Sequence, residues 1–510
     1  MAALLERPIE AVARGSKSET NRWLVLVIVC LAQFMVILDA TIVNVALPSI
    51  QHGLRFSQEN LQWVINGYTL LFGGFLLLGG RAGDLIGRKR VFIAGLIVFS
   101  LASLLNGLSQ SGEMLIAGRA LQGLGAALVS PAALSVLTTT FSEGRDRARA
   151  MGVWSSIAAG GGAVGLLAGG VLTTTLSWQW IFFVNVPIGA IALVAALRFV
   201  PESTGSLAHR TFDLAGAISV TGGLVLLVFT IVKAQSFGWT SGKTLGLFAA
   251  SAVLLLVFVV VESKSRNPLV RLRIFALRSL SAGNTILLLV ASGLFSMFFF
   301  ASLYVQEILG YSALKAGLAF LPVAFGIGIG AGIAQQLVRK IGVRPVMTTG
   351  LIMATAGMLL MTRLPVHGTY PQLLVGLLLI AIGMGFTFVP ITLLATTGVA
   401  NDDAGLASGL FNTAQQVGGS LGLAILSTLA ANRTGSVLHG ATSHTRFALF
   451  TAQLDGFHLA FLAGAILMAA GIVIEAAILR KRDVERIEVD GPEGESQAIS
   501  PPDATVASIA

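Results

Sequence analysis

The chain has 510 residues, of which 55% are hydrophobic and only 11% are charged, and it carries a formal net charge of +9. Ordinary soluble domains have about 25% charged residues, so this chain has too little charge to cover a surface in contact with water. The composition excludes a soluble enzyme and predicts a protein embedded in a lipid bilayer. The excess of basic residues is then explained by membrane topology rather than by nucleic-acid binding.

Apolar runs of the length that a helix needs to cross a bilayer, roughly 20 residues, recur from one end of the chain to the other. Polar residues, proline or glycine separate each run from the next. We therefore predict an all-α integral membrane protein with fourteen transmembrane helices. The predicted spans are 23–46, 61–80, 91–109, 114–140, 150–174, 180–200, 213–233, 245–262, 280–303, 316–337, 345–362, 371–394, 406–431 and 457–479.

Lysine and arginine are unevenly distributed between the two sets of predicted loops. If the N-terminus is placed inside, the inner segments hold 25 of these residues and the outer segments hold six. Because basic loops stay in the cytoplasm, we predict that both termini are cytoplasmic, in a multi-pass protein of the cell (inner) membrane. The longest outer loop is expected at residues 432–456, between the last two helices.

Two short strings form a faint internal repeat. The string that follows the second helix, from Asp84 to Lys89, resembles the string from Arg339 to Arg344 that follows the tenth. Repeated halves around a site near the midplane are the usual architecture of secondary transporters. The predicted organisation is a cytoplasmic segment at 1–21, a six-helix bundle at 22–200, two inserted helices with a cytoplasmic linker at 201–278, a second, pseudo-symmetric six-helix bundle at 279–480 and a disordered cytoplasmic tail at 481–510.

The first and fourth predicted helices each contain a charged residue. A carboxylate within a span is costly, so Asp39 is expected to bind and release a proton or to pair with a cationic substrate. Arg119 lies too deep to reach the membrane surface easily, and Asp39 is its expected partner. The alternatives are an Asp39 that makes only structural hydrogen bonds and an Arg119 that satisfies backbone carbonyl groups.

A basic loop joins the second and third helices on the predicted inner side. Its glycines allow a tight turn, and Asp84 is expected to bond to the N-terminal end of another helix or to a neighbouring arginine. Contacts that are broken and remade here would gate the inner face; the alternative is a basic loop with no further role. The predicted gate residues are Gly80, Asp84, Gly87, Arg88 and Lys89.

Polar residues in several spans are expected to line a substrate cavity. Asn412 and Gln416 are four residues apart, so they share one face of their helix. Hydrogen bonding between helices is the alternative explanation for this face. The predicted cavity residues are Asn44, Tyr68, Gln122, Glu307, Asn412, Gln415 and Gln416.

The fifth helix is rich in glycine. Small residues let helices approach closely, and they also allow a helix to bend. Gly165, Gly169 and Gly170 are therefore predicted to serve either close packing or a helix bend.

Signatures of other function classes are missing from the sequence. It contains no Ser/His/Asp set, no metal-ligand spacing and no phosphate-binding loop. We therefore expect no enzymatic activity, no cofactor and no metal site. Without an ATP-binding motif, a primary pump is not expected either.

Five strings, together with the helix count, resemble the major facilitator superfamily, in its fourteen-spanner branch of drug:proton antiporters and multidrug efflux transporters. The strings are found, in matching order, at residues 39–48, 80–90, 119–125, 178–189 and 405–422. The fifth helix departs from the branch, because Leu166 stands where its motif has proline.

The resemblance implies alternating access of the two halves of a monomer, with protons as the coupling ion. It implies export of small lipophilic compounds, cationic or neutral, with Asp39 and Arg119 in coupling and Asp84 with Arg88 in the inner gate. An exporter of an endogenous lipid or metabolite with the same fold is the alternative.

Overall fold

The computed structural model describes residues 21–141, 144–203, 213–265, 268–396, 399, 404–440 and 445–479. The predicted cytoplasmic N-terminal segment, apart from residue 21, and the predicted tail at 481–510 lie outside the described residues. The described part of the chain is built of helices and turns, without a β-strand.

Each of the fourteen predicted spans coincides with a long helix, so the predicted all-α membrane fold is confirmed. These helices are α1 (Arg22–Leu54), α2 (Trp63–Ile86), α3 (Arg88–Gly107), α4 (Gly112–Thr140), α5 (Arg145–Thr175), α6 (Asn185–Phe199), α7 (Leu214–Phe237), α8 (Gly242–Lys264), α9 (Arg278–Leu303), α10 (Ala313–Ile341), α11 (Val343–Met361), α12 (Tyr370–Thr396), α13 (Ala404–Gly440) and α14 (Arg446–Ile478). Short helical turns precede α2 and α6, and a π-turn at Tyr304–Ile308 continues α9.

Thirteen of these helices are long and apolar enough to cross a membrane, and α13 is the exception among the described residues. Asn412, Gln415 and Gln416 lower its hydropathy. Its polar groups find protein partners, since Ser292 of α9 donates a hydrogen bond to the Gly418 carbonyl of α13 at 2.8 Å. A span that packs between other helices can hold polar residues in this way, which explains why α13 belongs with the other spans.

The predicted outer loop at 432–456 is wrong. α13 continues to Gly440 and α14 already begins at Arg446, so most of the segment is helical. The Thr445 side chain accepts a hydrogen bond from the Ala448 N–H and caps α14. An ion pair of 2.7 Å between Arg433 and Asp455 joins the two helix extensions. Hydropathy detects only the part of a helix that lies in the hydrocarbon, and therefore misses polar turns of this kind.

The apolar core has a part that belongs to the first six helices alone. Val29, Phe92 and Phe99 are among its fully buried members. A larger core is built mainly on the last six helices, α9 to α14, and reaches α1, α2, α4 and α5. The boundary between the two groups of helices therefore runs along one side of α1, which carries Asp39.

Two glycines mark the internal repeat in the backbone. Gly87, between α2 and α3, has φ 118°, and Gly342, between α10 and α11, has φ 86°. Positive φ is the conformation that glycine adopts at least cost. The two aligned positions therefore make the same kind of sharp junction, as an internal repeat requires.

The inserted helices α7 and α8 differ in their surroundings. α7 packs against α2 and α13 through Leu224 and Val228, which meet Leu70 and Val417. α8 packs mainly against α7, and side chains such as that of Leu256 (64% exposed) face outward. α7 thus covers a groove between the two groups of six helices, while α8 presents an apolar surface suited to lipid.

Candidate functional site

A buried ion pair lies inside the first six helices. Arg119 Nη1 of α4 donates to Asp39 Oδ2 of α1 at 2.6 Å, and the side chains are 2% and 0% exposed. Removing two charges from water is tolerated only with close pairing and additional hydrogen bonds. The predicted pairing is present in the structure, and the role of the pair in coupling stays a prediction.

Arg119 also bonds to groups other than Asp39. Its Nε donates to the Val64 carbonyl at 2.9 Å, and its Nη1 donates to Gln122 Oε1 at 2.7 Å. Its guanidinium lies 4.4 Å from the centre of the Tyr68 ring, close enough for a cation–π interaction. The alternative of an arginine that satisfies a backbone carbonyl is therefore present together with the ion pair.

The second carboxylate oxygen of Asp39 is bound by two amides. Gln122 Nε2 donates to Asp39 Oδ1 at 2.7 Å, and Asn185 Nδ2 of α6 donates to the same oxygen at 2.9 Å. Asn185 also donates to Ser103 Oγ of α3 at 3.1 Å, and that hydroxyl donates to the Phe182 carbonyl at 2.9 Å. Hydrogen bonds to the charged Asp39 carboxylate therefore connect α1 to α4 and α6.

Three residues of this arrangement were missed by the sequence analysis. They are Asn185, Ser103 and Asn106, whose Nδ2 donates to Gln122 Oε1 at 2.7 Å. The available signal was an asparagine in an otherwise apolar stretch at the start of the sixth span. We call the whole set the Asp39 cluster: Asp39, Tyr68, Ser103, Asn106, Arg119, Gln122 and Asn185.

Glycines in α4 bring the cluster together. A Cβ atom at Gly123 would overlap the Tyr68 carbonyl of α2, and one at Gly118 would overlap the Asn106 side chain of α3. Small residues at such positions let helix backbones approach closely. Polar side chains from α2, α3 and α4 therefore meet around Arg119 within hydrogen-bonding reach.

A stripe of α1 that faces away from the ion pair is accessible. It consists of Gln33, Ile37, Ala40 and Asn44. Ala40 is exposed, although the adjacent Asp39 is fully buried. Near the stripe, Phe34 and the N-terminal half of α5 line an open cavity of about 630 Å³, which is apolar except for Ser156 and Arg149. The proton-binding candidate and the accessible surface thus lie on different faces of one helix.

The predicted cavity residues of the first half lie in two different surroundings, the buried ion-pair side and the accessible side of α1. Tyr68 and Gln122 are buried in the Asp39 cluster, so they have no surface for a substrate in this conformation. Asn44 belongs to the accessible stripe. The prediction that all three line a substrate cavity did not separate the ion-pair side from the accessible side, and for Asn44 it stays a prediction.

The predicted cavity residues of the second half are also in different surroundings. A Cβ atom at Gly73 of α2 would lie 2.8 Å from the Gln416 Cβ, so Gln416 packs at a contact between helices, although its Oε1 has no hydrogen-bond partner. Asn412 is exposed and Gln415 is half-buried, and both stay candidates for a cavity wall. Glu307 is half-buried in the π-turn that ends α9, outside the Asp39 cluster.

The loop between α2 and α3 is held by two acidic residues. Arg88 Nη2, at the start of α3, lies 3.1 Å from Asp84 Oδ1, so Asp84 bonds to a neighbouring arginine, one of the two predicted partners. The Lys89 N–H donates to Glu202 Oε1 at 3.3 Å, and a Cβ at Gly87 would lie 2.5 Å from the same oxygen. Glu202, which the sequence analysis missed, therefore attaches the predicted gate to the end of the sixth helix.

A second contact attaches this loop to the linker between α8 and α9. Arg81 Nη1 donates to the Pro268 carbonyl at 2.9 Å. Gly80, beside it in α2, faces α4, since a Cβ atom added there would lie 3.6 Å from the Pro131 Cβ. The segment beside the predicted gate thus contacts the linker that follows the inserted helices, and the gating role itself stays a prediction.

The three predicted glycines of α5 lie at close helix contacts. A Cβ at Gly169 would lie 2.7 Å from the Ile42 carbonyl of α1, and one at Gly170 would lie 2.8 Å from the Ala313 carbonyl of α10. A Cβ at Gly165 would also overlap α1. Close packing accounts for these residues, and the predicted bend stays a prediction.

The two groups of six helices touch at the end of the bundle where α1 and α9 finish. Ser302 Oγ donates to the Asn44 carbonyl at 2.6 Å, and Gln306 Nε2 donates to the Val45 carbonyl at 2.9 Å. We call these contacts, with the approach of Gly170 to α10, the seam. The open cavity lies beside the opposite half of α5, and we call the end of the bundle that holds it the open end.

Known protein families include one that matches most of this chain. The family model of the Major Facilitator Superfamily matches residues 29–423. The chain belongs to the major facilitator superfamily. This membership confirms the resemblance drawn from the five sequence strings, and it identifies the protein as a transporter.

Two curated relatives of this superfamily member cover most of its length. Puromycin resistance protein pur8 of Streptomyces alboniger is 39% identical over 92% of this chain and 93% of its own. Cephamycin export protein CmcT of Amycolatopsis lactamdurans is 39% identical over 86% of this chain and 91% of its own. Among solved structures, a bacterial homolog of the lysosomal transporter Spinster has a TM-score of 0.65 at 17% identity, covering 93% of this chain and 99% of that one, a likeness of fold.

Proposed function

We propose that this transporter exports small lipophilic compounds in exchange for protons, by alternating access of its two halves. The observation that carries the proposal is the buried pair of Asp39 and Arg119, which lies beside the accessible stripe of α1. An ionisable pair inside a membrane span is expensive to maintain, and such residues mark proton or substrate paths. The relatives named for drug resistance and export support the direction of transport.

In the proposed cycle, Asp39 takes up a proton and its carboxylate becomes neutral. The attraction between Asp39 and Arg119 is then lost, while Arg119 keeps its bonds to Val64 and Gln122. Because the cluster joins α1 to α4 and α6, a change of charge alters how firmly α1 is held. The other face of α1 reaches the seam, and this connection would link protonation to opening of the far end.

The surroundings of Asp39 support a separate surface for the substrate. Asp39 is fully buried and both of its carboxylate oxygens accept hydrogen bonds from protein donors, so it does not meet a cationic compound in this conformation. The open cavity offers mainly apolar side chains with Ser156. We therefore assign the proton to Asp39 and propose that neutral and monovalent lipophilic compounds bind along the cavity and the stripe.

A second candidate is the export of a metabolite that the cell itself makes. It is favoured by the similarity to a protein named for cephamycin export. The fold, the proton site and the direction of transport are the same in both candidates. We further propose that the protein works as a monomer in the cell membrane, with protons as the coupling ion and without a cofactor.

The experiment uses inside-out membrane vesicles that are energised with a proton gradient. We expect lipophilic test compounds to dissipate the gradient in vesicles with wild-type protein, and we expect Asp39→Asn to abolish this dissipation. Glu113→Gln, which changes an exposed carboxylate at the start of α4, is the matched control and should behave as wild type. Flux that survives in Asp39→Asn would contradict the assigned proton site. Flux with cell extracts but with none of the drugs would favour the metabolite candidate.

A further inference from the structure

The amide of Asn185 is hydrogen-bonded through its NH₂ group but not through its carbonyl oxygen. Its Nδ2 donates to both Asp39 Oδ1 and Ser103 Oγ, at 2.9 and 3.1 Å. Its Oδ1 is buried and has no hydrogen-bond partner. A buried acceptor without a partner costs free energy, so this atom calls for an explanation.

The other amide that binds Asp39 is different in this respect. Gln122 Oε1 accepts hydrogen bonds from Arg119 and from Asn106, both at 2.7 Å. Turning the Gln122 amide over would break both bonds and place its NH₂ group against a guanidinium, which has only donors. Gln122 is therefore fixed, whereas Asn185 loses no bond at its Oδ1 when it turns.

We propose that Asn185 is the positioning residue that follows the protonation state of Asp39, by turning its amide over. In the charged state, Nδ2 donates to the carboxylate, as the structure shows. When a proton binds to Asp39 Oδ1, the new O–H needs an acceptor. A half-turn about the Cβ–Cγ bond, which has a broad two-fold torsion, puts Asn185 Oδ1 in the place of Nδ2.

Ser103 can follow the same exchange. Its hydroxyl now accepts from Asn185 and donates to the Phe182 carbonyl at 2.9 Å. A hydroxyl is both donor and acceptor, so after the half-turn it can donate to Asn185 Oδ1 instead. The only covalent change is the O–H bond formed on Asp39 by the incoming proton. Two hydrogen bonds reverse their direction, the hydrogen bond from Ser103 to the Phe182 carbonyl is lost, and Arg119 keeps its place.

This inference rests on the proposed function, because it needs Asp39 to take up a proton. The ionisable groups that face Asp39 are Arg119 from α4 and Tyr68 from α2, whose ring lies against the guanidinium. The groups from α3 and α6 that complete the cluster, Ser103, Asn106 and Asn185, are neutral. Asn106 Oδ1 also lacks a partner, so a response of an asparagine carbonyl to pH in this cluster is assigned to Asn185 by its loss in Asn185→Leu.

The test is infrared difference spectroscopy between low and high pH, on protein in lipid vesicles with isotope-labelled asparagine. We expect the wild type to show a carboxylic-acid band and, with it, a downward shift of an asparagine carbonyl band, because that carbonyl gains a hydrogen bond. Both changes should be absent in Asp39→Asn, and the asparagine shift should be absent in Asn185→Leu. Asn66→Leu is the matched control, since Asn66 is equally buried, has an Oδ1 without a partner and bonds to Gln62.

A pH profile of transport is the second readout. Asn185→Leu removes one of the donors to the carboxylate, so the charged form of Asp39 is less stable. The pH of half-maximal proton-driven transport should rise by about one unit, while Asn66→Leu leaves it unchanged. If Asn185→Leu does not fold, Asn185→Ala takes its place, because it also removes the amide and adds no volume.

The outcomes distinguish a failure of the proposed proton site from a failure of the proposed turn of the Asn185 amide. Without a carboxylic-acid band that Asp39→Asn removes, the proposed proton site fails and this inference fails with it. If that band is present but no asparagine band moves, or if the shift survives in Asn185→Leu, the proposed turn of the Asn185 amide is overturned while the proton site stands.

Discussion

Arg119 makes directed bonds that explain why an arginine stands at this position. Its Nη1 is shared by Asp39 and Gln122, and its Nε reaches the Val64 carbonyl. A lysine has the same charge but no planar fork of donors, so it cannot make these bonds from one position. At the scale of single residues, the cluster therefore depends on the geometry of the guanidinium as well as on its charge.

Substitution of Arg119 by a neutral amide should be strongly destabilising. Arg119→Gln leaves the Asp39 carboxylate buried without a cation, and breaking a buried pair in this way costs about 3–5 kcal/mol. The double variant Asp39→Asn, Arg119→Gln should recover most of the loss, because two neutral amides need only hydrogen bonds. Denaturant unfolding of the purified variants measures both values, and the double-mutant cycle gives the coupling.

Transport assays of the same variants distinguish a loss of function from a loss of stability. The double variant should fold and yet show no substrate-dependent proton flux, since no group is left to carry the proton. A single Arg119→Gln variant that is as stable as the wild type would show that the pair contributes no net stabilisation.

The sequence predicted the centre of this cluster but not its periphery. Deeply placed charges are so rare in the spans that Asp39 and Arg119 were obvious partners. A neutral residue such as Asn185 has many acceptable partners in a helix bundle, and its spacing selects none of them. Glu202 was missed for a related reason, because an acidic residue just beyond a helix end is usually solvated.

At the scale of helices, α5 shows how glycine positions decide which surfaces meet. The helix runs unbroken from Arg145 to Thr175, through Leu166, where the related motif has proline. Gly169 approaches the backbone of α1, within the first half, and Gly170 approaches the backbone of α10, in the other half. One glycine therefore serves a contact within the first six helices, and its neighbour serves the seam.

The element order was predictable because hydrophobic length is a strong signal for each span. The contacts between spans were not predictable, because the same glycine-rich pattern fits close packing and bending equally well. The predicted ends of some helices differ from the observed ends for a further reason. Polar turns such as those of α13 beyond Asn432 are stabilised by capping and by an ion pair with Asp455, and hydropathy contains no information on either.

Gly170→Ala should shift the protein away from the conformation closed at the seam. The added methyl group would lie 2.8 Å from the Ala313 carbonyl, a backbone atom that cannot turn aside. Overpacking of this kind costs about 1–3 kcal/mol, which is enough to change the ratio of two conformations by about tenfold. The measurement is the rate at which a hydrophilic maleimide labels Ser302→Cys, a buried seam position, in a Cys30→Ala background.

The matched control for this experiment is Gly160→Ala on the same helix. A methyl group at Gly160 meets nothing within 4 Å, so the seam should label at the rate of the parent protein. Equal labelling rates in the Gly170→Ala and Gly160→Ala variants would contradict the role of Gly170 in closing the seam.

At the scale of the whole molecule, the direction of transport depends on which way the open end faces. The structure is closed where α1 and α9 finish, and the cavity lies beside the N-terminal half of α5. The geometry alone is compatible with either orientation in the bilayer. The distribution of basic residues, 25 against six, predicts that the open end faces the cytoplasm.

This orientation predicts which cysteines a membrane-impermeant maleimide can reach in intact cells. In a Cys30→Ala background, Thr240→Cys, in the turn between α7 and α8, should be labelled from outside. Lys340→Cys, at the end of α10, and Ser156→Cys, in the cavity, should be labelled only after the cells are permeabilised. Ser156 is the decisive position, because its accessibility together with Lys340 would mean that compounds load from the cytoplasm, as export requires. Labelling of Lys340→Cys in intact cells would reverse the topology, and the same cavity would then take up compounds from outside.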